Sequence, residues 1–159
     1  MVRHAKSSWN SVAMNDYDRP LLEKGKKRTK LVIDQLIKQQ TTIDLIIASP
    51  AVRALETAKI LAHAFHYPLS EIRTEKSIYA SDADDFFDIF FDIPARIQSV
   101  MLVGHNPTIT NFANIFLEKP IDYLPTSGVV CIEFASDDWD NLAWAAFKCK
   151  FVLFPKMLE

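Results

Sequence analysis

Glycine is scarce in this chain: Gly25, Gly104 and Gly128 are the only three in 159 residues. A backbone cradle for phosphate of the Walker or dinucleotide type needs several glycines in one short loop, so phosphate bound here must be held mainly by side chains. Cysteine is nearly as rare. Cys131 and Cys149 fall in two apolar stretches without metal-ligand spacing, and both read as thiols acting as small hydrophobes. Neither sign of charge dominates. With 18 basic against 20 acidic residues the net charge is −2, so no global field draws the chain to nucleic acid or to an anionic membrane. Anion binding must come from local clustering. No apolar run approaches the roughly 20 residues that span a bilayer. No charged-then-apolar leader opens the sequence either, and the expectation is a cytoplasmic protein without a membrane partner.

Hydrophobic residues make up 49% of the chain and low-complexity segments are lacking, so residues 1–159 are expected to form one domain, and a monomer. Helical and strand patterns alternate along it, which argues for an α/β layered domain with a mixed sheet. Residues 43–49 and 99–104 are short apolar runs between turn or polar residues, as expected for strands covered on both faces. Residues 127–134 and 142–154 read as later strands, with Ser136-Asp137-Asp138 as punctuation. Apolar positions near helical spacing mark helices over 21–39 and 51–65. A third helix is expected from Ser81, with capping residues and first-turn acids, to a stop before Pro94.

Three segments carry chemistry. In the first, Arg3-His4 leaves an apolar stub and enters the polar loop Lys6-Ser7-Ser8-Trp9-Asn10. A histidine nitrogen is a competent nucleophile near neutral pH when its other nitrogen is held by a hydrogen bond, and a guanidinium grips phosphate oxygens in bidentate fashion. In the second, Ser49-Pro50-Ala51-Val52-Arg53 brings an arginine to a strand-to-helix junction; in the third, Val103-Gly104-His105-Asn106-Pro107 brings a histidine to another strand end. Ligands of open α/β sheets bind outside the carboxyl ends of the strands, and all three segments then share that edge. Two features of the first segment stand out. A central strand usually has about five residues, yet Met1 and Val2 alone precede Arg3, so this strand is either a stub or continues upstream of Met1. Consecutive strand residues also point to opposite faces, so the chain must leave strand geometry for Arg3 and His4 to share a pocket.

Taken in order, these segments resemble the histidine phosphatase superfamily, whose RHG motif stands here as Arg3-His4-Ala5, with alanine for the glycine. Within it the chain looks most like the small bacterial phosphohistidine phosphatases of the SixA type. The resemblance rests on Arg3 to Trp9, Asp18-Arg19-Pro20-Leu21, Ser49 to Ala58, Val103 to Pro107, Leu124-Pro125-Thr126 and Pro155-Lys156-Met157-Leu158. It implies a phosphoglycerate mutase-like fold, a three-layer sandwich on a mostly parallel mixed sheet. It further implies that His4 is a nucleophile transiently phosphorylated, that Arg3 and Arg53 neutralise the phosphoryl oxygens, and that His105 completes the pocket. Ser7 and Asn10 occupy positions that face phosphate in related mutases. No cofactor and no metal is implied.

Each residue alone has a plainer reading. An Arg-His dipeptide is usually surface, Arg53 could pair with Glu56, and His105 could simply end a strand; together and in family order they favour the functional reading. His63 and His66 have an i, i+3 spacing without an acidic or thiol partner nearby and read as helix-surface residues. Many superfamily members carry a Glu general acid between the second arginine and the second histidine. Residues 77–85 contain none here, which leaves Asp82 as the candidate. A phosphohistidine expels imidazole, which leaves far more readily than an alkoxide, so a site poor in acid suits a P–N substrate. The expected function is a metal-independent phosphatase acting on phosphohistidine in a protein partner. Small phosphomonoesters are the alternative substrate, and a non-catalytic phosphate-binding module the third reading.

Overall fold

The apolar runs become strands that alternate between two covered faces. A computed structural model describes residues 1–9 and 15–159. The strands β1 (Val2–Arg3), β2 (Leu45–Ala48), β3 (Arg73–Thr74), β4 (Val100–Gly104), β5 (Val129–Ala135) and β6 (Ala146–Leu153) form one sheet in the order β3-β2-β4-β1-β5-β6. The pairings from β3 to β1 are parallel, and β5 and β6 add on antiparallel. The sheet is therefore mixed and mostly parallel.

Period-two alternation sorts the side chains. Ile46, Ala48, Met101 and Val103 face the helices α1 (Glu23–Lys38) and α2 (Val52–Ala64), packing on Val32, Leu36, Ala58 and Leu61. Ile47 and Leu102 face the other way, onto Phe86, Phe90, Phe112 and Phe116. Helices thus cover both faces, as the three-layer expectation required. Glu23 suits the first turn of α1, where the helix dipole favours an anion. Both long helices end on a left-handed residue, Gln40 (φ 56°) and His66 (φ 53°), whose N–H returns to the helix. His63 and His66 are exposed. Among the described residues no group of three or more His, Cys, Asp or Glu could hold a metal, and no helix is long and apolar enough to cross a membrane.

The third helix takes a different form. A short α3 (Ser77–Ala80) is followed by a 3-10 segment, Asp84–Phe90, and the other α-helix of that layer is α4 (Thr108–Asn114). In a 3-10 segment side chains three apart lie over one another, and here Phe86 and Ile89 are both buried. Packing, rather than helix propensity, decides this shape. Phe86 and Phe90 lie against the ring of Phe112 at 5.2 and 6.3 Å, and Phe90 stacks on Trp139 at 5.7 Å. The last strand also starts later than its apolar pattern implies. Leu142 is buried in the connection, and Cys131 and Cys149 are free, half-buried thiols on neighbouring strands.

One glycine determines how closely α1 approaches the loop after β1. A Cβ on Gly25 would lie 2.5 Å from the carbonyl oxygen of Lys6 and 2.8 Å from its nitrogen, both backbone atoms that cannot step aside. Helix propensity alone makes Gly→Ala favourable by about 1 kcal/mol within a helix, whereas overpacking costs about 1–3 kcal/mol. Gly25→Ala is therefore expected to lower the melting temperature and displace the loop from Ala5 to Ser7. A raised melting temperature would show that propensity wins.

Candidate active site

β1 delivers Arg3 and His4, and the chain turns out of strand geometry at once. The His4 N–H donates to the Gly104 carbonyl (3.0 Å), while the Ser127 N–H reaches the carbonyls of both Arg3 and His4 (3.1 and 3.2 Å). The Ala5 N–H donates to Thr57 Oγ1 (2.9 Å), and that hydroxyl donates in turn to the Arg53 carbonyl (2.7 Å). These bonds hold the loop to β4, to the turn before β5 and to α2. Ser127 supports the bend from a left-handed backbone (φ 60°) and is tied by its hydroxyl to Thr29 (2.8 Å).

Arg3, His4, Arg53 and His105 converge. The rings of His4 and His105 lie 5.1 Å apart, and Arg53 Nε approaches His4 Nε2 at 3.4 Å. Arg53 is buried and makes no ion pair with Glu56, whose carboxylate instead accepts the Leu21 N–H (3.0 Å). His4 Nδ1 lies 2.7 Å from the Ala5 carbonyl. A carbonyl can only accept, so Nδ1 carries the proton and Nε2 keeps its lone pair. His105 Nε2 lies 2.7 Å from Ser49 Oγ, and Ser49 Oγ also accepts the Ala51 N–H (3.2 Å). With the Ser49 proton assigned to His105 Nε2, His105 Nδ1–H is left as a donor. Two buried polar atoms at this site lack a partner among the described residues, and they are His105 Nδ1 and Arg3 Nε. Arg3 otherwise donates through Nη1 to the Leu124 carbonyl (2.9 Å) and makes no salt bridge among the described residues.

The other candidates fare differently. Ser7 is buried with its hydroxyl 2.6 Å from Arg19 Nη2, so it reaches the site through that guanidinium. Asn10 lies outside the described residues. Asp82 is not brought to the site: it is exposed, and its N–H donates to the Asp85 carboxylate.

The carboxylate in the pocket belongs to Asp16. It accepts Arg19 Nη1 (2.8 Å), Arg53 Nη2 (2.9 Å) and the Tyr79 hydroxyl (2.9 Å). Burial alone would raise the pKa of Asp16, but these hydrogen bonds outweigh it and hold the pKa at about 2. Arg19 is itself buried, with Nε on the Ser8 carbonyl (2.9 Å) and its guanidinium 3.3 Å above the Trp9 ring. Tyr79 stands edge-on to His105 at 5.4 Å. Sequence reasoning missed Asp16, Arg19, Tyr79, Ser49 and Thr57. For Arg19 a signal existed, since Asp18-Arg19-Pro20-Leu21 is one of the segments that carry the resemblance.

The sequence profile of the histidine phosphatase superfamily (branch 1) matches residues 1–78, which hold Arg3, His4, Arg19 and Arg53. A candidate phosphohistidine phosphatase SixA from Agrobacterium tumefaciens superposes with a TM-score of 0.77 at 26% identity, covering 97% of this chain and 95% of that one. The chain belongs to the histidine phosphatase superfamily. A protein histidine phosphatase SixA complexed with tungstate shares the fold, with a TM-score of 0.77 at 18% identity over 99% of this chain and 96% of that one. An uncharacterised protein of Mycobacterium leprae is 28% identical over 156 residues, 89% of this chain and 91% of its own. This histidine phosphatase is an enzyme of the phosphatase class.

Both pocket histidines are held neutral. Burial is the main cause, and it lowers His4 to about 3 and His105 to about 4; for His4 the Ala5 carbonyl opposes the shift, and neighbouring Arg53 lowers both. In an unfolded chain each imidazole binds a proton near pH 6.5. Below that pH the unfolded state holds more protons, so the stability from the neutral rings is complete above pH 6.5 and drains as the pH falls toward 4 and 3. Imidazole NMR should place both midpoints well below pH 6.5, with chemical denaturation giving lower stability at about pH 5 than at about pH 7.5. Midpoints near the free value would contradict this.

Proposed function

We propose that this chain is a metal-independent phosphatase that works through a covalent phosphohistidine on His4 and removes phosphate from phosphohistidine in a protein partner. The observation that carries the reading is the neutral His4 ring. Its Nδ1–H is held by the Ala5 carbonyl, and its Nε2 carries no proton and accepts Arg53 Nε–H at 3.4 Å.

His4 Nε2 attacks phosphorus in line, a P–Nε2 bond forms, and the P–N bond to the substrate imidazole breaks. The departing imidazole takes a proton from water. Water then attacks the phosphoryl group on Nε2, releasing inorganic phosphate and returning His4 to its starting state. Charge on the equatorial oxygens is met by Arg3, Arg19 and Arg53 and by His105 Nδ1–H, all in place before the reaction. Guanidinium forks match a planar array of oxygens and stay charged at every relevant pH. They supply the positive charge that the reaction needs. An incoming phosphate competes with the Asp16 carboxylate for Arg19 and Arg53.

The pocket's carboxylate supports the choice of substrate. Asp16, held ionised at about 2, has no proton to give near neutral pH, and the Asp82 side chain bonds to none of Arg3, His4, Arg53 and His105. A leaving group of high pKa therefore receives no help from either, whereas imidazole departs readily.

His4→Ala should reduce turnover of a phosphohistidine peptide to background while tungstate still binds through the arginines, and EDTA should leave the wild-type rate unchanged. Aryl phosphates should be cleaved well and alkyl phosphates poorly, with Asp82→Asn having little effect. Turnover in His4→Ala, or loss of activity in EDTA, would overturn the covalent and metal-free parts. Rapid hydrolysis of an alkyl phosphate would move the assignment to small phosphomonoesters.

A further inference from the structure

Asp16 faces water, yet the two guanidinium groups it holds do not. The side chains of Arg19 and Arg53 are 9% and 6% exposed, against 45% for that of Asp16. The carboxylate bridges them: Oδ1 accepts Arg19 Nη1 (2.8 Å), and Oδ2 accepts both Arg53 Nη2 (2.9 Å) and the Tyr79 hydroxyl (2.9 Å). Two oxygens shared between two arginines is also how a phosphoryl group would lie there. Arg53 reaches in both directions, with Nε on His4 Nε2 (3.4 Å) and Nη2 on Asp16, so the carboxylate stands one guanidinium away from the nucleophile.

The carboxylate meets only part of what the pocket offers an anion. Arg3 Nε and His105 Nδ1 stay without a partner among the described residues, and Asp16 makes no ion pair with Arg3. A phosphoryl group, with three oxygens and more charge, can reach these donors as well as the two arginines. Exchange also costs the two sides differently. The half-exposed carboxylate is rehydrated as it leaves, whereas the buried guanidinium groups need another anion in its place. The main chain of Asp16 is tied separately, because its carbonyl accepts Arg53 Nη1. The carboxylate can therefore leave by rotation of its side chain and return from a tether one residue long.

We infer that Asp16 is a resident counter-anion: it occupies Arg19 and Arg53 when no phosphate is bound, yields them to the phosphoryl group of the substrate, and takes them back as orthophosphate leaves. This role rests on the phosphatase reaction proposed above. A tethered competitor weakens the apparent binding of every free anion, by the fraction of molecules in which the arginines are available. It does not act equally along the reaction. A phosphoryl group bonded to His4 Nε2 cannot be displaced by a carboxylate, but free orthophosphate can, so Asp16 biases the cycle toward product release. No covalent bond changes in this exchange, since carboxylate and phosphate trade hydrogen bonds to the same donors. Tyr79 sets how firmly the carboxylate is held. Its ring stands edge-on to Tyr17 at 5.5 Å and to His105 at 5.4 Å, which fixes its hydroxyl where Oδ2 comes to rest.

Calorimetric titration of the full chain with orthophosphate near neutral pH tests this without requiring turnover. Asp16→Asn keeps the size of the side chain and removes the charged competitor, so it should bind orthophosphate about tenfold more tightly than the wild type. Tyr79→Phe frees the carboxylate of one hydrogen bond and should fall between the two. A carboxylate that only orients the arginines predicts the opposite sign, a loss of affinity in Asp16→Asn. Asp18→Asn removes the same charge from an exposed neighbour in the same segment and should leave the affinity unchanged. Equal or weaker binding in Asp16→Asn would overturn the inference. So would an equal gain in Asp18→Asn, which would make the effect one of net charge alone. If neither the wild type nor Asp16→Asn binds orthophosphate, the phosphate site itself fails; if both bind it equally, only the role of Asp16 does.

Discussion

An unneutralised guanidinium organises this molecule's working edge. Arg3 lies half-buried at the end of the central strand without a carboxylate partner among the described residues, and its Nε is shut away from solvent. A buried charge is tolerated when something of opposite sign comes to meet it. Arg19 and Arg53 add positive charge close enough to lower the pKa of Arg3, after burial and against the opposing effect of Tyr123. Asp16 meets Arg19 and Arg53 from the solvent side and leaves Arg3 unpaired. The arrangement has more positive charge than its own carboxylates neutralise, which is the electrostatic form of a phosphate site.

Burial, helped by that charge, keeps His4 neutral and so usable as the nucleophile of the proposed reaction. A histidine among arginines and out of water loses its proton, and the Ala5 carbonyl decides which nitrogen keeps the remaining one. Binding and nucleophilicity are therefore consequences of one environment rather than separate features. The fold contributes by ending three parallel strands at one edge: β1 supplies Arg3 and His4, β2 leads to Ser49 and Arg53, and β4 leads to His105.

Much of this was legible in the sequence, for physical reasons that also set its limits. Apolar runs flanked by polar turns marked β2 and β4, so the residues just after them could be placed at a common edge. Arg3, His4, Arg53 and His105 were found because each directly follows such a run or opens the helix after it. Arg19 and Asp16 lie in an irregular segment without periodicity, and nothing local says that the segment folds back over the pocket. Asp82 was only a candidate because an acidic helix start looks the same from sequence whether it faces a site or solvent. Aromatic packing on Phe112 turned the expected third helix into a 3-10 segment, a tertiary effect that no local pattern carries.

The central claim is that His4 carries the phosphoryl group. Rapid-quench reaction of the enzyme with a phosphohistidine peptide, followed by mass spectrometry under conditions that preserve acid-labile phosphoramidates, tests it most directly. The account predicts one transient phosphoryl group on the peptide containing His4, formed and lost at rates that match turnover. Phosphorylation of another residue, or full turnover with no phosphorylated enzyme at any time, would contradict it.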